Sequence, residues 1–426
     1  MPAERTEPMA VVPQRRSLWR NVLVFLSVVG PGIITANVDN DAGGITTYSL
    51  AGAQYGNKLL WTLVPITIAL VVVQEMSARM GVITGKGLAD LIRENYGVKI
   101  TFWIMLALLV ADVGNTVAEF SGVAASVAIF GVPAWVSVPI TAAAVWILVL
   151  KGTYRQVEKV FLVACVFYAA YPISAFLSHP DWGTVLRQTV TPTFEASGGY
   201  VAMLIGVVGT TIAPWMQFYL QSAVVEKGIK PEHYRHSRVD VVVGCIITDV
   251  VAFFIIAACA ATIFKAGVKV ETADQAALAL APLAGRYASW LFAFGLYNAS
   301  FFAASILPLA TAYYVCEAFG WESGIDRKFG EARQFYTLYT GIIVLGATVV
   351  LIPHLPLLKI MLVSQIVNGV LLPFILIFML MIINQERLMG DHRNGRTFNA
   401  IAWATTIVMI VLTLYLVGAG VKDLLI

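Results

Sequence analysis

Apolar stretches long enough to cross a membrane recur along nearly the whole chain, at 22–48, 59–80, 102–130, 133–150, 157–177, 199–222, 239–264, 284–316, 336–352, 358–384 and 398–418. An α-helix needs about 20 apolar residues to span the hydrocarbon core. Hydropathy therefore predicts an all-α integral membrane protein of about eleven transmembrane helices. Backbone in lipid must satisfy its own hydrogen bonds, which for segments of this length means helices. Composition agrees, since 59% of the 426 residues are hydrophobic and 12% are charged. A soluble domain carries about 25% charged residues, so the solvent for this surface must be lipid. The net charge of +3 gives no reason to expect nucleic acid as a partner.

Residues 1–20 are polar and basic, with Arg5, Arg15, Arg16 and Arg20. No short apolar core with a small-residue cleavage site follows, so this reads as a cytoplasmic tail. Residues 21–426 then form a single transmembrane domain. The loops after even-numbered spans are the basic ones, for example Lys86, Arg93 and Lys99, Lys151, Arg155 and Lys159, or Lys227, Lys230, Arg235 and Arg238. The positive-inside rule puts the N-terminus in the cytoplasm and, for an odd count, the C-terminus outside. The longest polar stretches, 178–198 and 265–283, are expected as external loops.

Two spans are interrupted. The first contains Asn37-Val38-Asp39-Asn40-Asp41-Ala42-Gly43-Gly44, and the sixth contains Gly209-Thr210-Thr211-Ile212-Ala213-Pro214-Trp215. Glycine and proline weaken the helical ladder, and proline removes a donor. Irregular backbone at membrane depth survives where it lines a cavity or is buried in protein. The breaks lie five spans apart, as two inverted five-helix repeats over about 21–180 and 198–385 would place them, with an extra helix at 398–418. Matching broken helices mark a transporter's binding site.

Asp41 is the leading candidate in that site. A carboxylate at mid-bilayer needs a cation, a partner or water. Ala42, Gly43 and Gly44 beside it offer backbone carbonyls with little bulk, and the carbonyls of Thr210 and Ala213 are expected to face it, freed by Pro214. Carboxylate, carbonyl and water form the ligand set of a hard cation. The structural alternative is an ion pair with a base, although no basic residue sits at mid-depth in any span. Asp39 lies two residues earlier, and one of the pair is free to line the external vestibule. Asp112, Asn115 and Glu119 share a face of the third helix, a stripe able to carry protons or simply to stabilise the bundle. Asp249 in the seventh span either bridges helices or lines the path. Glu75 and Arg79, at i and i+4, read as a structural pair. The four cysteines are scattered singly without zinc or disulfide spacing, and the five histidines all fall in expected loops.

The run Gly30-Pro31-Gly32 … Asp41-Ala42-Gly43-Gly44 … Ala51-Gly52-Ala53-Gln54-Tyr55-Gly56 … Leu59-Leu60-Trp61 resembles the first two helices of NRAMP metal transporters. Ser77-Ala78-Arg79-Met80-Gly81-Val82-Ile83-Thr84-Gly85 and Ser364-Gln365 … Pro373-Phe374 extend the resemblance over most of the chain. It implies the LeuT architecture, a 5+5 inverted repeat with helices 1 and 6 unwound around a transported metal ion, and no cofactor. It also implies Gln365 on the tenth helix as a contact to the ion or its water, with Asn368 on the same face.

The departures from the family pattern bear on the cargo. The first-helix motif Asp-Pro-Gly-Asn reads Asp41-Ala42-Gly43-Gly44 here, and Met-Pro-His on the sixth helix reads Ala213-Pro214-Trp215. Losing the thioether removes selection for soft transition metals. Smaller side chains also leave room for magnesium, which keeps several waters. The pattern looks like the NRAMP-related magnesium transporters of prokaryotes, which implies Mg2+ and also Mn2+ as cargo and the cell membrane as location. The acidic pair on the family's third helix falls on Asn115 and Ala118, and with Trp215 in place of histidine this implies transport without protons. Three rivals remain: a proton-coupled Mn2+ or Fe2+ importer, an organic-solute transporter of the same architecture, and a membrane enzyme. Asp41 disfavours the second, and no catalytic motif supports the third. No obligate protein partner is evident beyond the lipid bilayer.

Overall fold

The computed structural model describes residues 30–268 and 286–425. The tail expected over 1–20 and most of the 265–283 loop lie outside them. The first crossing is split into α1 (Pro31–Asn37), a 3-10 turn at Val38–Asn40 and α2 (Ala42–Tyr55). Then come α3 (Leu60–Thr84), α4 (Leu88–Tyr96), α5 (Val98–Ala128) and α6 (Ala134–Lys151). The fifth crossing joins α7 (Tyr154–Val166) to α8 (Ala170–Leu177), and α9 (Trp182–Val190) follows. The sixth crossing is split into α10 (Gly198–Thr211) and α11 (Pro214–Glu226). The remainder are α12 (Tyr234–Cys259), α13 (Arg286–Phe319), α14 (Arg333–Val350), α15 (Leu357–Ile383), a short α16 (Glu386–Met389) and α17 (Arg396–Leu425).

Nine stretches among the described residues are long and apolar enough to cross a membrane. One of them, Ala42–Thr84, runs through two crossings, and α14, with Arg333 and Gln334 in its first turn, is not among the nine. Counting both gives the eleven crossings expected. Of the apolar window of each crossing, 94% is buried in α10–α11 and in α13, against 17% in α17. The broken sixth crossing is therefore central and the last one peripheral. Trp135 and Ile140 on α6 and Val411 and Leu414 on α17 are exposed, as a lipid-facing surface requires.

Both breaks follow from local chemistry. Pro31 and Pro214 each start a helix, where the missing N–H costs nothing. Asp41 is extended (φ −69°, ψ 179°) and caps α2, its Oδ1 accepting the Gly44 N–H at 2.5 Å. Glycines then let the crossings pack backbone to backbone. A Cβ on Gly32 would lie 2.6 Å from the Val241 nitrogen of α12, and one on Gly369 of α15 would lie 2.5 Å from the Ile205 carbonyl of α10.

The structure differs from the sequence expectations in two loops. α4 was expected as a polar connection, but it buries Leu88, Ala89, Leu91 and Ile92. α9 lies in the expected external loop and starts at an Asp181 cap that accepts the Gly183 N–H at 3.1 Å. His236 is helical rather than in a loop, because α12 begins at Tyr234, ahead of its apolar stretch. The cysteines are unpaired, as expected. Glu75 and Arg79 form an ion pair at 3.0 Å, and Arg79 also donates to the carbonyls of His392 and Arg393.

Candidate metal site at the helix breaks

Asp41 is 3% exposed, and no ion pair among the described residues involves it. The base-pairing alternative is thereby removed, while capping is real and occupies one carboxylate oxygen. The next residue joins a different crossing. The Ala42 N–H donates to Glu119 Oε2 of α5 at 3.0 Å, and the Glu119 and Asp41 carboxyl groups are in contact. Glu119 Oε1 is buried without a partner. The third-helix stripe therefore reaches the break itself, which helical spacing alone did not specify.

The residues expected from the sixth and tenth helices assemble around this point, with two departures. Thr210 is buried and its Oγ1 lacks a partner; a Cβ on Gly44 would lie 2.8 Å from it. Pro214 has no N–H to close on the Thr210 carbonyl. The Ala213 carbonyl, expected to be free, instead accepts the Met216 N–H at 3.2 Å and Gln217 Nε2 at 3.1 Å. Both lone pairs are used, because Ala213 opens α11. Trp215 is buried in the first turn of α11, its ring 6.4 Å from that of Tyr219.

Gln365 reaches the break through the space that Gly43 leaves, since a Cβ on Gly43 would overlap Gln365 Nε2. Here is the second departure. Gln365 presents its unpartnered Nε2 to the break and turns Oε1 to Asn368 Nδ2 at 3.0 Å. An NH2 group cannot ligate a cation, so Gln365 as a metal ligand requires the amide to turn. Behind it runs a buried polar chain. Asn368 and Asn115 exchange amide hydrogen bonds at 3.2 Å, and Asn115 Nδ2 donates to Asp112 Oδ1 at 3.1 Å. Asp112 Oδ2 accepts from Thr311 at 3.0 Å and Tyr314 at 3.1 Å. Asp112 and Asn115 thus support the site from behind. Asp39 lies in the 3-10 turn, which the Asn40–Thr248 hydrogen bonds tie to α12 next to Asp249.

One residue carried no sequence signal. Asp240 of α12 accepts the backbone N–H groups of Gly30, Gly32 and Ile33 at 3.2, 2.7 and 3.2 Å. It caps the start of α1 from across the bundle, a contact set by tertiary packing. As a whole, the site combines a buried carboxylate with oxygens at the C-terminal ends of α1 and α10, where the helix dipoles favour a cation.

A profile of the Nramp family (natural resistance-associated macrophage protein-like) matches residues 32–419. The chain belongs to the Nramp family. As an Nramp protein it is a multi-pass membrane transporter and not an enzyme, and it needs no cofactor. It is 26% identical over 413 residues to the divalent metal cation transporter MntH of Bacillus subtilis, covering 94% of this chain and 93% of that one. It is 28% identical over 402 residues to MntH of Klebsiella pneumoniae, covering 92% and 94%. Among solved structures, the manganese transporter of Eremococcus coleocola superposes with a TM-score of 0.75 at 23% identity, over 95% of this chain and 88% of that one. Mhp1, a nucleobase-cation-symport-1 family transporter, superposes with a TM-score of 0.55 at 15% identity, over 91% and 90%. These likenesses bear out the LeuT-type arrangement with helices 1 and 6 broken.

Proposed function

We propose that this Nramp protein imports a divalent metal ion by alternating access through the site at Asp41. The carrying observation is a buried carboxylate with no basic partner, at the point where two crossings lose their helical ladder. Around it stand oxygen donors: the Thr210 hydroxyl and carbonyl, the carbonyls of the α1–α2 turn, and Gln365 once its amide turns. Such donors suit magnesium and manganese. Ala213, Gly43 and Gly44 supply room and no sulfur, which supports magnesium as a principal cargo alongside manganese. We assign the transport work to one domain, residues 21–426, with repeats at about 21–180 and 198–385 and a peripheral helix at 398–418, in a prokaryotic cell membrane with the N-terminus cytoplasmic.

A second reading is proton-coupled import of a transition metal such as manganese. Two observations favour it: the likeness to the MntH divalent metal cation transporters and to a manganese transporter, and the contact between Glu119 and Asp41, which sets a titratable group against the proposed ion. Purified protein in liposomes, supplied with Mg2+ or Mn2+ and carrying a pH-sensitive dye inside, separates the two. Uptake of both ions without acidification is expected. Manganese uptake with acidification, and no magnesium uptake, establishes the second reading instead.

A further inference from the structure

We propose that Asp39 and Asp249 form a second cation station beside the Asp41 site, holding a hydrated divalent ion on its way through the protein. This rests on the divalent-metal reading above. Asp39, in the 3-10 turn, is 1% exposed, and Asp249, at the middle of α12, is 5% exposed. The Asn40–Thr248 hydrogen bonds hold their two segments together, both Asp39 oxygens are buried and unpartnered, Asp249 has the Thr67 side chain of α3 beside it, and no ion pair among the described residues involves either. Thr67 offers Asp249 a single hydroxyl, which also donates to the Leu63 carbonyl of its own helix at 2.7 Å, so the carboxylate keeps capacity for a ligand. Two buried carboxylates in one neighbourhood with no basic partner are poorly solvated, an arrangement that calls for a cation.

The surroundings hold the pair in place and add hard oxygens. Asn40 Nδ2 donates to the Thr248 carbonyl at 3.1 Å and hydroxyl at 2.7 Å, and the Thr248 hydroxyl donates to the Ala36 carbonyl at 2.5 Å. These bonds fix the turn against α12, so residues 39 and 249 stay adjacent. The same amide leaves Asn40 Oδ1 buried and unpartnered, as is Asn37 Oδ1 one turn back. Two carboxylates with amide oxygens form a hard-cation set, and water completes the shell of an ion such as magnesium that dehydrates reluctantly. Tyr48, close to both carboxylates, bonds the Thr211 hydroxyl at 2.7 Å, next to Thr210. The station therefore adjoins the proposed transport site.

The test titrates full-length protein in detergent with Mn2+, reading the free ion by its EPR signal, beside uptake in liposomes. Wild type is expected to bind two ions per chain. Asp39→Asn, Asp249→Asn and Asp41→Asn are each expected to bind one, and Asp249→Glu to restore the second. In liposomes Asp249→Asn raises KM about tenfold with kcat little changed, whereas Asp41→Asn abolishes transport. Size-exclusion profiles matching wild type guard against misfolding, and the Glu rescue covers an Asn variant that does not fold. If Asp39→Asn and Asp249→Asn bind and transport as wild type does, the two carboxylates share a proton and the station is overturned while the metal reading stands. A wild type that neither binds nor carries any divalent ion removes both.

Discussion

Glu119 Oε2 accepts the backbone N–H of Ala42 at 3.0 Å, so an unbroken helix props the broken one at the residue after Asp41. The bond satisfies one of the orphan amides at the start of α2. It also sets two carboxyl groups in contact, so the charge of one bears on whatever the other holds.

That contact makes Glu119→Gln the sharpest test of coupling. Glutamine keeps an oxygen for the Ala42 amide and loses the proton site. Metal uptake is expected to persist in this variant, and wild-type uptake to proceed without acidification, driven by the membrane potential. Each elementary charge gains about 2.3 kcal/mol per 100 mV, hence about 4.6 for a divalent ion. The measurement is dye-loaded liposomes with valinomycin setting the potential. Metal-dependent acidification that vanishes in Glu119→Gln would mark α5 as a proton path.

Asp41 caps α2 and is proposed to bind the metal, and two substitutions separate these roles. Asparagine caps a helix about as well as aspartate, whereas alanine forfeits about 0.5–2 kcal/mol. Both variants are expected to abolish Mg2+ and Mn2+ uptake, and only Asp41→Ala is expected to lower the melting temperature. Uptake at wild-type rates in Asp41→Asn would show that the charge is not needed there.

Much of this was legible in the sequence because bilayer thickness dictates helix length. Glycine, proline and carboxylates in mid-span betrayed the two breaks. The misses were contacts that spacing does not encode. Helical periodicity puts Glu119 on a face with Asp112 but does not say that the face meets Ala42. Pro214 suggested a free Ala213 carbonyl, and only the direction of α11 shows that it is used. α4 and α9 are short amphipathic helices, each stabilised by packing against the bundle rather than by length.

Selectivity is expected to respond to Ala213→Met, which puts a thioether at the start of α11. The ratio of Mn2+ to Mg2+ uptake should rise severalfold in competition assays, since sulfur favours the softer ion. Restoring an asparagine at Gly44 as well is disfavoured, because a Cβ there would overlap the Asp39 carbonyl. An unchanged ratio in Ala213→Met would mean that softness does not set the preference.

Gly43→Ala is expected to impair transport for a steric reason. The new methyl would displace the Gln365 amide, and overpacking of this kind costs about 1–3 kcal/mol. Uptake should fall at low metal concentration, and Gly43→Ala combined with Gln365→Ala should recover stability in a thermal melt. A single variant as stable and active as wild type would show that Gln365 has other room.

The three amides held by Asp240 make a harness. Pulling α1 away from α12 would strand those N–H groups at about 1–3 kcal/mol each, and the close approach of Gly32 to Val241 leaves no side chain there to slide on. Unless the harness is slipped, the first half-helix travels with the seventh crossing as one lever. The 3-10 turn at Val38–Asn40 then becomes its elbow, so whatever rocks α12 is delivered to the backbone beside Asp41.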